Sequence, residues 1–139
     1  MAARARVFEF AVSFDGGWVG TSDRGGPTLP NVPREWTPEH LVLAGLARCS
    51  LTSLRYHADH AKLVCDSRAE VHGSVTRRDS DGRFAFVELT VTVHVNFDGT
   101  LEADTLRELL AKAERDCWVG ASLTAKPAYH WIVDGEEIT

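Results

Sequence analysis

Cysteines at positions 49, 65 and 117 are the residues of this 139-residue chain best suited to covalent chemistry. The thiolate, not the thiol, is the nucleophile, so each position is judged by what could ionise it. Cys49 lies in Leu46-Ala47-Arg48-Cys49-Ser50-Leu51, inside an apolar segment. A free cysteine there also packs well as a small hydrophobe. It sits far from the start of its helix, where the dipole gives little help, so a reactive Cys49 needs a cation or a hydrogen-bond donor. Cys117 opens Cys117-Trp118-Val119-Gly120-Ala121-Ser122-Leu123. A cysteine that starts a new turn of helix meets free backbone N–H groups that favour a thiolate, although packing is the alternative here too. Nothing singles out Cys65, in Leu63-Val64-Cys65-Asp66, and it is assigned to packing.

Other chemistries are poorly supported. Three cysteines without a CxxC pair argue against a disulfide-stapled secreted domain, a zinc ribbon and a thioredoxin-like site. The six histidines (His40, His57, His60, His72, His94, His130) are scattered. His57 and His60 fall at a helix end, where a cation complements the dipole, and a metal there would need further ligands; no metal is expected. GxSxG, HExxH and P-loop motifs do not occur. A net charge of −5, from 15 basic and 20 acidic residues, argues against nucleic acid as a partner. No run approaches the roughly 18 apolar residues of a membrane span. Residues 1–10 are basic without a long apolar core, so no secretory signal is expected. These points lead to the expectation of a soluble, cytoplasmic protein with a single domain over residues 1–139.

The elements that must position the cysteines follow from the pattern. Arg6–Phe14 alternates as a strand, with Phe8, Phe10 and Val12 on one side, and Asp15-Gly16-Gly17 supplies a turn into a return strand, Trp18–Thr21. Residues 22–36, with Pro27, Pro30 and Pro33, read as a long loop. Thr37-Pro38-Glu39-His40 is a strong helix start, combining an N-cap, a first-turn proline and an acidic residue at the positive end of the dipole. That helix runs to about His60, with apolar residues over most of its circumference, and is predicted to be a central helix buried nearly all round, for which a second subunit is one available cover. Strands are predicted over Ala69–Arg78 and Arg83–Phe97, joined by Asp79-Ser80-Asp81-Gly82. Val87, Leu89, Val91, Val93 and Val95 share one face of the second strand. A helix over Leu101–Arg115, a short helix or turn over Cys117–Ala125 and a strand over Tyr129–Val133 complete the chain. The order predicts an α+β fold with an antiparallel sheet.

Thr37-Pro38-Glu39-His40-Leu41 followed by Leu43-Ala44-Gly45-Leu46-Ala47-Arg48-Cys49 resembles the central-helix motif of the OsmC/Ohr family (osmotically inducible protein C and organic hydroperoxide resistance proteins). The second half resembles it too: a charged helix ending at Cys117, a segment closing with Ser122-Leu123, and a last strand with Tyr129-His130-Trp131. The two cysteines stand 68 residues apart, close to the family's separation, and the resemblance covers essentially the whole chain.

The resemblance implies an intertwined homodimer with active sites at the interface and a thiol-dependent peroxidase acting on organic hydroperoxides. Cys49 matches the peroxidatic cysteine, Cys117 the resolving cysteine, and Glu39 the glutamate that pairs with a catalytic arginine. The arginine is not fixed by a motif. Arg24 and Arg34 both precede the central helix, and Arg24 is preferred; Arg48 points about 100° away from Cys49 on the helix. No bound cofactor is implied, only an external dithiol reductant, which in the family can be a dihydrolipoyl group. Glu39 and Cys49 are ten residues apart, about 15 Å along one helix, so an antiparallel partner helix is one way to unite them.

Two departures stand out. Trp118 follows the second cysteine where many members have proline, and the chain matches neither best-known branch closely, which points to a less characterised one. Alternative readings are a redox sensor or hydrophobic-ligand binder on the same fold, and an enzyme of different chemistry in the interface pocket.

Overall fold

The computed structural model describes residues 5–16, 19–29 and 35–138. The chain divides at Pro38/Glu39 into two compact units.

In the first unit, β1 (Val12–Phe14) pairs antiparallel with β2 (Gly20–Ser22). The turn is closed by Asp15, whose N–H donates to the Val19 carbonyl and whose carboxylate accepts from the Val19 N–H. Gly17 and Trp18, assigned to the turn and the return strand, lie outside the described residues, as do Pro30, Pro33 and Arg34. The pattern predicts a strand from Arg6; among the described residues the ladder covers Val12–Phe14, and Phe8 and Phe10 are exposed. A Cβ at Gly20 would stand 2.8 Å from the tip of the half-exposed Phe14 ring, which would have to move aside.

The second unit carries both candidate cysteines. Helix α1 spans Pro38–His60, as the Thr37-Pro38 start predicts. It ends in a Schellman motif: the Leu63 N–H donates to the Ala58 carbonyl, the Lys62 N–H to that of Asp59, and Lys62 takes φ 60°. Within one chain the helix is not buried all round. Leu46, Ser50, Ser53, Leu54 and Ala58 form a single buried stripe, while Arg48, Thr52, Arg55 and Tyr56 face outward. The apolar residues between these faces, Ala44, Ala47 and Leu51, are half-buried.

Strands β3 (Cys65–Arg77), β4 (Phe84–Phe97), β5 (Ala128–Val133) and β6 (Glu136–Ile138) form one sheet in that order. The antiparallel expectation holds for β3–β4 and β5–β6, whereas β4–β5 is parallel. The connection between them explains this: α2 (Ala103–Arg115) and α3 (Trp118–Ser122) carry the chain back across the sheet, as a parallel crossover requires. Leu89, Val91, Val93, Val95 and Phe97 of β4 are buried in one core with Leu46 and Leu54 of α1 and Leu109, Leu110 and Ala113 of α2. Val87 does not continue that row, because the register shifts opposite Ser74 and Val75 and leaves it exposed. Strand β6 was not anticipated. It is launched by Asp134-Gly135, both at positive φ, the geometry of a two-residue hairpin turn.

Candidate active site

The two cysteines singled out in the sequence come together. Cys49 lies on α1 beside the buried stripe, and Cys117 caps the N-terminal end of α3 in extended conformation, 1% exposed. The two sulfurs lie close enough for each to shift the other's acidity. The segment after Cys117 also reaches across to Cys49, the Val119 N–H donating to Cys49 Sγ at 3.5 Å. Around Cys117, Ser50 Oγ stands 3.6 Å from Sγ and 2.9 Å from the Tyr129 hydroxyl.

These partners divide the pair's acidity unequally. Burial pushes the Cys49 thiol up, the Val119 N–H pulls it back, and the Cys117 sulfur pushes it up again, leaving it above the ordinary thiol value. Burial also raises Cys117, but the surrounding Tyr129 and Ser50 hydroxyls, the Gly120 backbone and Cys49 together outweigh it, and the net direction is down. In this chain alone, a single negative charge on the pair is held best at Cys117. Burial pushes the Tyr129 phenol well above its usual value, so it stays protonated and serves as a donor.

The turn bearing Cys117 is anchored from both sides. Asp116 accepts two hydrogen bonds from the Arg115 guanidinium, and its Oδ2 lies 2.7 Å from His57 Nε2 on α1. Arg115 first and His57 second hold the Asp116 carboxyl far below the usual carboxylate range. Ser53 on α1 donates to the Ala113 carbonyl at 2.7 Å, a second tie to the end of α2. Behind Cys117, the indole N–H of Trp131 donates to Glu114 at 2.7 Å.

Other sequence-selected residues lie elsewhere. Glu39 is exposed in the first turn of α1, so helix geometry keeps it about 15 Å from Cys49 of the same chain. Arg24 belongs to the first unit, where its guanidinium lies 5.2 Å from the centre of the Phe10 ring. Arg34 is outside the described residues. Cys65 begins β3 and packs against the core, and burial raises its thiol. Among the described residues, no group of three or more His, Cys, Asp or Glu side chains is placed to hold a metal ion.

Ser50 and Tyr129 were not identified as site residues from the sequence. The available signal was a serine in the apolar stripe of a helix, next to a candidate nucleophile. A buried hydroxyl must find partners, and here they are a phenol and a thiol.

An α+β chain whose long helix carries one free cysteine, and whose short third helix begins at another and reaches back to the first through the Val119 N–H, defines a two-thiol protein. Residues 31–131 match the family model described as OsmC-like protein, and the chain belongs to that family. No curated protein matches it in sequence. Among solved structures it is similar to an OsmC-like protein of unknown function from Vibrio cholerae, with 14% identity over 91% of this chain and 100% of that one and a TM-score of 0.71. It is also similar to the organic hydroperoxide resistance protein OhrB of Bacillus subtilis, with 26% identity over 91% and 98% of the two chains and a TM-score of 0.58. An organic hydroperoxide resistance protein from Legionella pneumophila shares 23% identity over 93% and 98%, with a TM-score of 0.61. Among the described residues, no helix is long and apolar enough to cross a membrane.

Proposed function

We propose that this protein is a two-cysteine thiol peroxidase that reduces organic hydroperoxides, with Cys49 as the peroxidatic and Cys117 as the resolving thiol. The observation that carries the proposal is the meeting of Cys49 with the turn that bears Cys117, the Val119 N–H reaching Cys49 Sγ at 3.5 Å, in an OsmC-like fold. Resemblance to a hydroperoxide resistance protein at 26% identity supports it. Cys49 is the more accessible of the two, as a thiol that meets substrate must be.

The chemistry balances as follows. The Cys49 thiolate attacks the outer oxygen of ROOH, and the O–O bond breaks. The alkoxide RO⁻ takes up a proton and leaves as ROH, and Cys49 becomes a sulfenic acid. The Cys117 thiolate then attacks the Cys49 sulfur. Hydroxide departs, collects the proton given up by Cys117 and leaves as water, and a disulfide remains. An external dithiol, such as a dihydrolipoyl group, restores both thiols by exchange and is itself oxidised.

Burial and the Cys117 sulfur push the Cys49 thiol up, so the first step requires a cation that favours its thiolate. Arg24, oriented by Glu39, takes this role in the proposal, since a guanidinium binds carboxylate and thiolate together. Glu39 reaches a Cys49 by crossing an antiparallel α1–α1 contact in a homodimer. Supporting such a contact, the outward face of α1 presents an open groove of about 670 Å³ between the small and apolar Ala44, Ala47 and Leu51 and the side chains of Arg48, Thr52, Arg55 and Tyr56. Free thiols of this kind persist in a reducing compartment, in keeping with a cytoplasmic location.

The test is stoichiometric. One equivalent of cumene hydroperoxide is expected to consume two thiols, yield one equivalent of alcohol and leave a Cys49–Cys117 disulfide on peptide mapping. Cys49→Ser should leave the peroxide intact. Intact peroxide with the folded wild-type protein would favour the sensor or ligand-binding reading.

A further inference from the structure

Two buried or half-buried hydroxyls beside the reacting pair have no part in the chemistry above. Ser50 is 1% exposed and touches both Cys117 and Tyr129. Their order of donation follows from what each atom can do. A thiolate only accepts, so Ser50 must donate its hydroxyl proton to Cys117; its oxygen is then free to accept from the Tyr129 phenol. Chains of this kind polarise one another, and in a site of low dielectric each bond is strengthened.

We propose that Tyr129 and Ser50 are positioning residues for the resolving half of the reaction: a donor chain, Tyr129 to Ser50 to Cys117, that holds charge on the resolving sulfur once Cys49 has been oxidised. The chemistry rests on the peroxidase reading; the residues rest on the geometry alone. The downward direction of the Cys117 thiol agrees with it. Other titratable groups facing this cluster are Cys49 from α1 and Glu114 from α2. Glu114 is engaged by the Trp131 indole.

The chain has a cost as well as a benefit. Lowering a thiol's pKa increases the thiolate fraction but weakens each thiolate as a nucleophile, with a Brønsted coefficient of about 0.4–0.5. Loss of one charge-assisted hydrogen bond should raise Cys117 by about one pH unit. Below the titration midpoint, ten-fold less thiolate is then offset by roughly three-fold greater nucleophilicity, a net slowing of about three-fold. Above both midpoints only the nucleophilicity remains, and the variant should resolve about three-fold faster.

Tyr129→Phe tests this, because it removes the hydroxyl and keeps the ring that stacks on Trp131; Ser50→Ala is the independent second variant. Two readouts are used. In a Cys49→Ser background, the Cys117 Cβ chemical shift is followed by NMR across pH, which needs no peroxide. In the otherwise wild-type chain, Cys49 sulfenate is generated with one equivalent of cumene hydroperoxide, and its decay to disulfide is timed by dimedone trapping. The expected result is a higher Cys117 midpoint in both variants, resolution slower at neutral pH and faster at alkaline pH, and sulfenate formation that is not slowed. An unchanged midpoint in both variants would overturn the donor chain. So would slowing by the same factor at every pH, which marks a purely structural effect. If the wild type consumes no peroxide, the peroxidase reading falls, and the titration alone still decides whether Tyr129 and Ser50 hold the Cys117 charge.

Discussion

The backbone N–H of Val119 points at the sulfur of Cys49 across 3.5 Å, two residues after Cys117 on the same turn. This contact ties Cys49 on α1 to the segment that follows Cys117. Removing the acceptor should therefore be felt in the backbone. Cys49→Ala is expected to accelerate amide hydrogen exchange at Val119 by about five- to ten-fold, the worth of one hydrogen bond. Amides of β4 in the core should be unaffected. Unchanged protection at Val119 in NMR-detected exchange would mean that α3 is held without Cys49.

Cys65 provides the control within the same chain. It packs at the start of β3, and burial raises its thiol. Cys65→Ser should lower stability by about 1 kcal/mol, the cost of a poorly partnered hydroxyl in a half-buried site. Peroxide turnover per folded molecule should stay at the wild-type rate. A loss of turnover comparable to that of Cys49→Ser would move the chemistry to the wrong cysteine.

Alkaline stability should report Tyr129. Its phenol is raised by burial above an ordinary value near 10. Below pH 10 both folded and unfolded chains keep the proton, and the group has no effect. Above pH 10 the unfolded chain ionises first, so stability falls until the folded-state phenol also titrates. Thermal melts should show a steeper drop in Tm above pH 10 for wild type than for Tyr129→Phe. Parallel curves for the two proteins would refute this assignment.

The C-terminal end of α1 holds a removable strain. Lys62 adopts φ 60° in the Schellman motif, a conformation that costs a side-chain-bearing residue roughly 1–2 kcal/mol. Glycine relieves it but gains freedom in the unfolded chain, worth about 0.4–1 kcal/mol in the other direction. Lys62→Gly should therefore stabilise the protein by roughly 0.5–1 kcal/mol in denaturant titration. A loss of stability would show that the lysine side chain contributes more than its backbone costs.

Much of the frame could be read from local signals. Thr37-Pro38 sets the start of α1, and the alternation of Leu89 to Val95 sets the inner face of β4, because both depend on residues near in sequence. The Cys49 and Cys117 candidates came from residue type and family resemblance, and the fold joins them. Features that depend on distant partners were harder to read. The parallel β4–β5 pairing depends on where α2 and α3 lead the chain, and the exposure of Val87 on a register shift against Ser74 and Val75. Tyr129 and Ser50 meet across 79 positions, and neither has a local pattern that names the other. The β6 hairpin is a different case, since Asp134-Gly135 is a strong local turn signal and both residues take positive φ.

The most direct measurement is steady-state peroxide consumption with a dithiol reductant, comparing cumene hydroperoxide with hydrogen peroxide on wild type and Cys49→Ser. The account predicts rapid loss of the organic peroxide, slower loss of hydrogen peroxide, and abolition of both by Cys49→Ser. Undiminished turnover in Cys49→Ser, or no turnover by the folded wild type with any of several dithiols, would contradict it.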